Sequence, residues 1–358
     1  MLDVRDVAPE SAQGTDLNAY LSAAVTVDAT LVPVADTVRA IAGAAAKAAA
    51  QIALGPLSPE AMPQGGSRNS DGDVQKALDL LTDRLFMEAL ATAPVAVLVS
   101  EELEAPKRLK DSAPLVVAID PLDGSSNIDA NVSIGTIFSI LPAIEGAESD
   151  AAHFMQPGRN QRGAGFVVYG PQTLLILSIG GPTTGFILDP RDGRFVQLAK
   201  SLTIANDSHE YAINASNYRH WDPAVRAYIE DCQLGEEGRL SRNHNMRWIA
   251  SMVADAYRIF TRGGVFLYPG DQRKGYNSGR LRLLYEVSPI SFLVEHAGGK
   301  ATDGVKRILD IIPNDVHERS PLVFGSAQVV DTIVEYHTNP KLLSNRSPLF
   351  KSRGLMMG

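Results

Sequence analysis

The stretch AIDPLDGSSNID, residues 118–129, runs an apolar strand into two carboxylates and then into a glycine–serine turn. Read back to LVVAID (115–120), it places Asp120 at the carboxyl end of a buried strand, where catalytic groups collect in α/β proteins. Pro121 fixes the turn, and Asp123 folds back toward Asp120. Gly124, Ser125, Ser126 and Asn127 then offer backbone N–H groups and hydroxyls at the start of a short helix, which suits an oxyanion or phosphate. Carboxylates beside an anion-binding turn are compatible only if cations lie between them.

A second apolar strand, AVLVS (96–100), ends in Glu101-Glu102. Gathering four carboxylates costs several kcal/mol in repulsion and desolvation unless cations neutralise them. Oxygen-only ligands favour Mg²⁺ or Mn²⁺, and no Cys/His cluster stands nearby for zinc. Two such ions about 3.5–4 Å apart would polarise a phosphoryl group, activate a water and stabilise a leaving alkoxide. The plainer alternative, an Asx-turn and a capped surface loop, is weakened by the second acidic strand end.

Outward from this centre, Val34, Val38, Ile41, Ala45, Ala48 and Ile52 predict a helix over 31–54. A breaker-rich stretch, 55–73, reads as a long loop, either disordered or an active-site lid. A second helix is expected over 74–91. After LVVAID come TIFSIL (136–141), FVVYG (166–170), TLLILSIG (173–180), GFILD (185–189) and RFVQL (194–198). Short turns such as GPQ and DPRDG join them, so antiparallel pairing is expected. PKRLK (106–110) reads as a solvated loop.

Beyond residue 203 the pattern alternates. YAINAS (211–216) leads to a helix opened by Asp222-Pro223. A long helix is expected at 246–260, then the strand VFLYP (265–269) and a helix between Ser288-Pro289 and Gly298-Gly299. ILDIIP (308–313), PLVFGS (321–326) and a last helix near 327–336 complete a smaller α/β half. The expected division is 1–202, helices on a mostly antiparallel sheet carrying most metal ligands; 203–340, an α/β half; and a tail, 341–358.

Composition fits this. The 358 residues are 45% hydrophobic and 21% charged, with a net charge of −8. That balance argues against nucleic acid or anionic membrane as a partner. No run of eighteen apolar residues occurs, and MLDVRDVAPE lacks the apolar core of a signal peptide. One cysteine, Cys232, permits no intrachain disulfide and reads as a core residue beside Val225, Tyr228 and Ile229. A cytoplasmic location is the expectation.

VSEE (99–102), DPLDGSSNID (120–129), QPGRN (156–160), SMVAD (251–255), FLYP (266–269) and LRLLYE (281–286) together resemble the class I fructose-1,6-bisphosphatases, in that family's order. The similarity runs from about 74 to 330. It implies an α+β to α/β fold, a layered α-β-α-β-α sandwich of the sugar-phosphatase type. It implies Mg²⁺-dependent hydrolysis (Mn²⁺ being possible, with two or more ions per site) of the 1-phosphate of a sugar bisphosphate, as in gluconeogenesis or the Calvin cycle. The resemblance makes Glu101, Glu102, Asp120, Asp123, Glu286 and the Leu122 carbonyl metal ligands. Asp79 and Glu102 become the groups that activate water. Gly124, Ser125 and Ser126, with Asp123, hold the reacting phosphate. Asn214, Arg247 and Tyr268 hold the distal one, Arg280 stands where a lysine is common, and Met252 lies beside the sugar. Arg247 is implied to reach a neighbouring subunit of a homo-oligomer, a tetramer. Unaided, Asp79 and Arg247 read as solvated helix residues and Glu286 as a surface residue.

Departures bear on specificity and control. Asn217 and Trp248 stand where the family commonly has tyrosines, so beside D-fructose 1,6-bisphosphate the alternatives are sedoheptulose 1,7-bisphosphate or dual specificity for both. VDATLVPV (27–34), Pro114-Leu115 and Pro142 replace the elements of the AMP site, which is expected to be absent or rebuilt. A more distant alternative is a non-catalytic sugar-phosphate sensor.

Overall fold

The computed structural model describes residues 14–58 and 73–344. It opens with an element the sequence did not announce, α1 (Leu17–Val27), capped by Asp16, whose Oδ1 accepts from the Ala19 N–H at 2.8 Å. The two expected helices follow as α2 (Val32–Leu54) and α3 (Asp73–Thr92). Of the 55–73 loop, residues 59–72 lie outside the described residues, and Gly55–Leu57 form a single 3₁₀ turn. By length and composition α2 is apolar enough to cross a membrane. However, its Val34, Val38, Ile41, Ala45 and Ala48 face is buried in the core, which accounts for the pattern.

The first sheet comprises β1 (Val95–Ser100), β2 (Lys107–Arg108), β3 (Leu115–Asp123), β4 (Ile134–Pro142), β5 (Gly163–Tyr169), β6 (Thr173–Ser178), β7 (Thr184–Leu188) and β8 (Phe195–Ala199). Its order is β2-β1-β3-β4-β5-β6-β7-β8, and only β1 and β3 run parallel. The GPQ and DPRDG hairpin turns form as expected, Gly170 N–H donating to the Gln172 carbonyl and Asp189 N–H to the Arg194 carbonyl. PKRLK departs from expectation by pairing as β2. Its exposed Lys107 and Arg108 put charge on the sheet's edge, which discourages further strand addition.

The second sheet has the order β10-β9-β11-β15-β13, from β9 (Glu210–Ile213), β10 (Asn245–Met246), β11 (Val265–Tyr268), β13 (Lys300–Thr302) and β15 (Leu322–Gly325). A two-residue ribbon joins β12 (Leu281–Arg282) to β14 (Arg319–Ser320). Alternating side chains of the first sheet point to two cores. Phe138, Ile140 and Val167 pack under α1, α2 and α3. Ile137, Phe166 and Ile176 instead meet α5 (Met252–Arg262), α6 (Ser288–His296) and, beyond them, Phe266 and Phe324 of the second sheet. The outer face of that sheet carries α4 (Pro223–Leu234), α7 (Ala327–Thr338) and the short α8 (Lys341–Ser344), with Cys232 buried beneath. The layers are therefore α-β-α-β-α, as the resemblance implied.

The helix expected at 246–260 is the main correction. Residues 245–246 are strand, and α5 starts only at Met252. Two features break the helix. Ala250 adopts a left-handed φ of 66°, and the Asp255 carboxylate turns back to accept from the Ile249 N–H at 3.2 Å. Arg247 thus follows a strand rather than lying on a helix.

Candidate active site

Because β1 and β3 are parallel, their carboxyl ends abut: Ser100 pairs with Ile119, and Glu101 N–H donates to the Ile119 carbonyl at 3.1 Å. Glu101 and Glu102 therefore emerge beside Asp120. The antiparallel ladder to β4 slips between Asp120 and Asp123, freeing Pro121 and Leu122 to bulge. Leu122 N–H donates to Asp120 Oδ1 at 3.0 Å, and Thr136 holds the Pro121 carbonyl. Glu286 arrives from a single π-helical turn, Leu283–Val287, ahead of α6, with its carboxylate receiving the Arg282 N–H. It is 6% exposed, which corrects the surface reading that composition alone suggested. One carboxylate oxygen each of Asp120, Asp123 and Glu286 lie within 4.8 Å of one another, and all three residues are buried.

The electrostatics are those of an over-charged site. Burial first, and then Glu101, Asp123 and Glu286, drive Asp120 well above the ordinary carboxylate range. Glu286 is likewise driven well up by burial, Glu101 and Asp123. Burial lifts Asp123 to about 7 against the opposing Val253 N–H. Asp79 rises to about 6, again from burial and then from Glu102, while the Ser125 hydroxyl opposes the shift. Asp79 therefore faces this cleft from α3 and touches the Ser125 turn. Such a cluster fits divalent cations: it offers oxygen donors only and is unfavourable without positive charge.

The turn itself requires a glycine. Gly124 has φ 76°, a left-handed conformation. Asn127 Nδ2 then reaches the Ala250 carbonyl at 2.8 Å, tying the turn to the segment before α5. At Gly135, opposite Asp123, a Cβ would stand 2.6 Å from Val253 Cγ2, so its absence lets α5 approach until Val253 N–H reaches Asp123 Oδ2 at 3.4 Å. Among the described residues, two buried side-chain oxygens lack a partner, Asp79 Oδ1 and Ser251 Oγ. Both flank this turn, Asp79 through Ser125 and Ser251 through Gly124. A ligand in the turn would complete them.

The distal residues separate into two places. Asn214, Asn217, Tyr268 and Arg280 line one depression, at the carboxyl ends of the parallel neighbours β9 and β11. Asn214 Oδ1 accepts from Ser216 N–H and Oγ at 3.2 and 2.6 Å, leaving its amide NH₂ as the end available to a ligand. Arg280 has no carboxylate partner among the described residues. Trp248 stacks on Phe266 at 5.6 Å and, tilted, lies 6.2 Å from Tyr268, extending an aromatic ladder rather than offering a phenol. Arg247 does not join this depression: it is exposed and lines another surface with Glu210, Asp255 and Arg258. The Met252 side chain is 5% exposed and packs in the core between the sheets.

Several residues here carried no assignment from the sequence. Asp83, one turn beyond Asp79 on α3, is buried and accepts from Ser100 Oγ at 2.7 Å; its i+4 spacing from Asp79 was a usable signal. Asp255 orders residues 249–251 and is lifted to about 7, chiefly by burial. Arg282 reaches Glu101 at 3.8 Å and the His317 carbonyl at 2.9 Å. His317 in turn bridges the Tyr285 hydroxyl and the Glu104 carbonyl, linking the Glu286 turn to the loop after β1. No local pattern pointed to His317, which lies 213 residues from Glu104.

Comparisons with known proteins agree with this geometry. The N-terminal and C-terminal fructose-1-6-bisphosphatase domain models match residues 27–200 and 204–338. The class 1 fructose-1,6-bisphosphatase of Sinorhizobium medicae is 52% identical over 96% of this chain and 99% of its own, and that of Methylobacterium radiotolerans 51% over 98% and 99%. The holo form of Leishmania major fructose-1,6-bisphosphatase superposes with a TM-score of 0.80 at 31% identity, covering 91% of this chain and 99% of the other. With its layers, its acidic strand ends and its glycine–serine turn all in place, the chain belongs to the class 1 fructose-1,6-bisphosphatase family.

Proposed function

We propose that the protein hydrolyses the 1-phosphate of D-fructose 1,6-bisphosphate to fructose 6-phosphate and phosphate, using Mg²⁺ or Mn²⁺. The observation that carries this reading is the buried Asp120–Asp123–Glu286 cluster beside the Gly124 turn. Glu101, Glu102, Asp120, Asp123, Glu286 and the Leu122 carbonyl would hold two or more divalent ions. Such ions supply charge neutralisation and Lewis-acid polarisation of phosphoryl oxygens when bound.

The chain's own residues divide the remaining work. The N–H groups of the 124–126 turn and the hydroxyls of Ser125 and Ser126 hold the oxygens of the phosphate under attack. Asp79, half-buried and made more basic by that burial, faces the cleft beside the Ser125 turn, so it can take the proton of the attacking water while Glu102 orients that water. The water oxygen bonds to phosphorus, the bond to the sugar oxygen breaks, and that oxygen takes a proton from solvent while Asp79 releases the one it accepted. Asn214, Tyr268 and Arg280 grip the distal phosphate with donors alone, and Met252 shapes the wall beside the sugar. Exposed Arg247 suits a role in a neighbouring site of a homo-oligomer, a tetramer in this reading. Residues 1–202 thus carry most of the metal ligands and 203–340 the sugar-phosphate grip, in an enzyme of cytoplasmic carbohydrate metabolism.

In VDATLVPV, the Thr30 hydroxyl is taken by Asp28 Oδ1 at 2.7 Å. A carboxylate there disfavours a nucleotide phosphate, which supports the expectation that the AMP site is absent or rebuilt. Asn217 and Trp248 keep sedoheptulose 1,7-bisphosphate as the second reading. The test is phosphate release from both sugars with and without Mg²⁺. Mg²⁺-dependent release from fructose 1,6-bisphosphate, insensitive to AMP, is expected; a higher kcat/KM on the seven-carbon sugar would select the second reading, and no release from either would refute both.

A further inference from the structure

The loop from Pro269 to Arg280 borders the distal depression, and its internal order is more elaborate than a connection needs. Asp271 N–H donates to the Tyr276 carbonyl at 3.0 Å, and Gly279 N–H to the same carbonyl at 3.0 Å. The buried Asp271 carboxylate accepts from the Arg273 N–H at 2.9 Å and from Arg273 Nε at 3.0 Å, with Arg273 Nη2 also closing on it. The same Nη2 then donates to Asn217 Oδ1 at 3.1 Å. A guanidinium has donors and no acceptor, so the amide atom facing it is the carbonyl oxygen. The Asn217 NH₂ is therefore the end left for the depression that Asn217 lines, and among the described residues it makes no hydrogen bond within the protein. Arg273 and Arg280 also share one ring, their Cζ atoms lying 4.6 and 4.9 Å from the Tyr276 centroid.

We propose that Arg273 is a positioning residue. Clamped by Asp271, it fixes the Asn217 amide so that its NH₂ donates to the distal phosphate of the substrate. The proposal rests on reading this depression as the distal-phosphate site. Without Arg273 the amide can turn its oxygen to the anion, exchanging an attraction for a repulsion, and Asp271 is left as an uncompensated negative charge nearby. With Arg273 in place, Asp271 offsets it and the depression's net charge is that of Arg280; without it, Asp271 opposes Arg280.

Steady-state kinetics on Arg273→Ala, Arg273→Lys, Asn217→Ala and the double variant test it, with fructose 1,6-bisphosphate and fructose 1-phosphate as paired substrates. Arg273→Ala should raise KM for the bisphosphate about 10-fold with kcat within about twofold, and leave KM for the monophosphate within about twofold. Arg273→Lys should recover part of the loss, and the double variant should be no worse than about the larger single effect. Multiplying single effects, an unchanged bisphosphate KM, or an equal rise for both sugars would overturn the proposal. The wild type separates the premise: equal KM for the two sugars would refute the distal-phosphate reading itself.

Discussion

The first sheet ends its one parallel pair, β1 and β3, in carboxylates, and the second ends the parallel pair β9 and β11 in donors. At the first, Asp120, Asp123 and Glu286 are buried together and raised in pKa by burial and by neighbouring carboxylates. At the second, the one carboxylate in the lining, Asp271, is paired with Arg273, and the asparagine oxygens are already taken by neighbours. Both use the same piece of geometry, adjacent strand ends opening onto one crevice. They differ in what the folded chain has to tolerate. The acidic end destabilises the metal-free protein, whereas the donor end costs little because Arg280, which has no carboxylate partner among the described residues, is exposed.

The sharpest way to break this contrast is Asp120→Asn. Activity should fall by more than about 10³-fold, the scale of losing one group that stabilises a transition state. Stability should move the other way in chelator. With one charge removed from the cluster, Tm should rise by roughly 2 °C or more, and the order should reverse in Mg²⁺ because the wild type gains more from the ion. Calorimetry in both conditions checks it. A variant less stable than wild type in chelator would mean that the cluster is not strained by its charge.

The same strain has a pH signature. Folded Asp123 keeps its proton to about 7, while an unfolded aspartate titrates near about 4. Across that window the native state binds more protons, so this group's contribution falls as pH rises. Comparing wild type with Asp123→Asn in chelator isolates Asp123 together with its coupling to Asp120 and Glu286. The variant's advantage should grow from about pH 4 to about pH 7 and then level off. Urea titrations at four pH values would show this, and an advantage that shrinks with pH would contradict it. Mg²⁺ should flatten the dependence by displacing the protons.

The two regions were also unequally legible. The acidic end announced itself in the sequence because strand hydrophobicity followed by Asp or Glu is local, so Asp120, Asp123, Glu101 and Glu102 could be found within a few residues of each other. The strands and the helices from 32 to 54 and 73 to 92 were legible for the same reason, their periodicity being a property of neighbours. The β2 edge and α1 were not, since two residues or one buried face carry too little pattern. The missed start of α5 came from Asp255, whose side chain competes for the backbone of residues 249–251. At the donor end Asn214 and Tyr268 needed the family resemblance, and nothing local joined Asn217 to Arg273 across 56 residues.

A milder perturbation of the donor end asks whether its order, as well as its charge, holds the substrate. Arg280→Gln removes a cation that has no carboxylate partner among the described residues and should raise KM for fructose 1,6-bisphosphate by about 10–100-fold, the range of a hydrogen bond to a charged group. Tyr276→Leu keeps both arginines but removes the ring beneath them. Cation–π contacts at exposed sites are worth about 0.5–1 kcal/mol, so KM should rise only about 2–5-fold, with kcat unchanged. The size of the smaller effect is informative. If Tyr276→Leu matched Arg280→Gln, the ring would be setting the position of the cation, and the donor end would depend on packing as strictly as the acidic end depends on its ions. If it had no effect, Arg280 would be acting as a mobile charge on the rim.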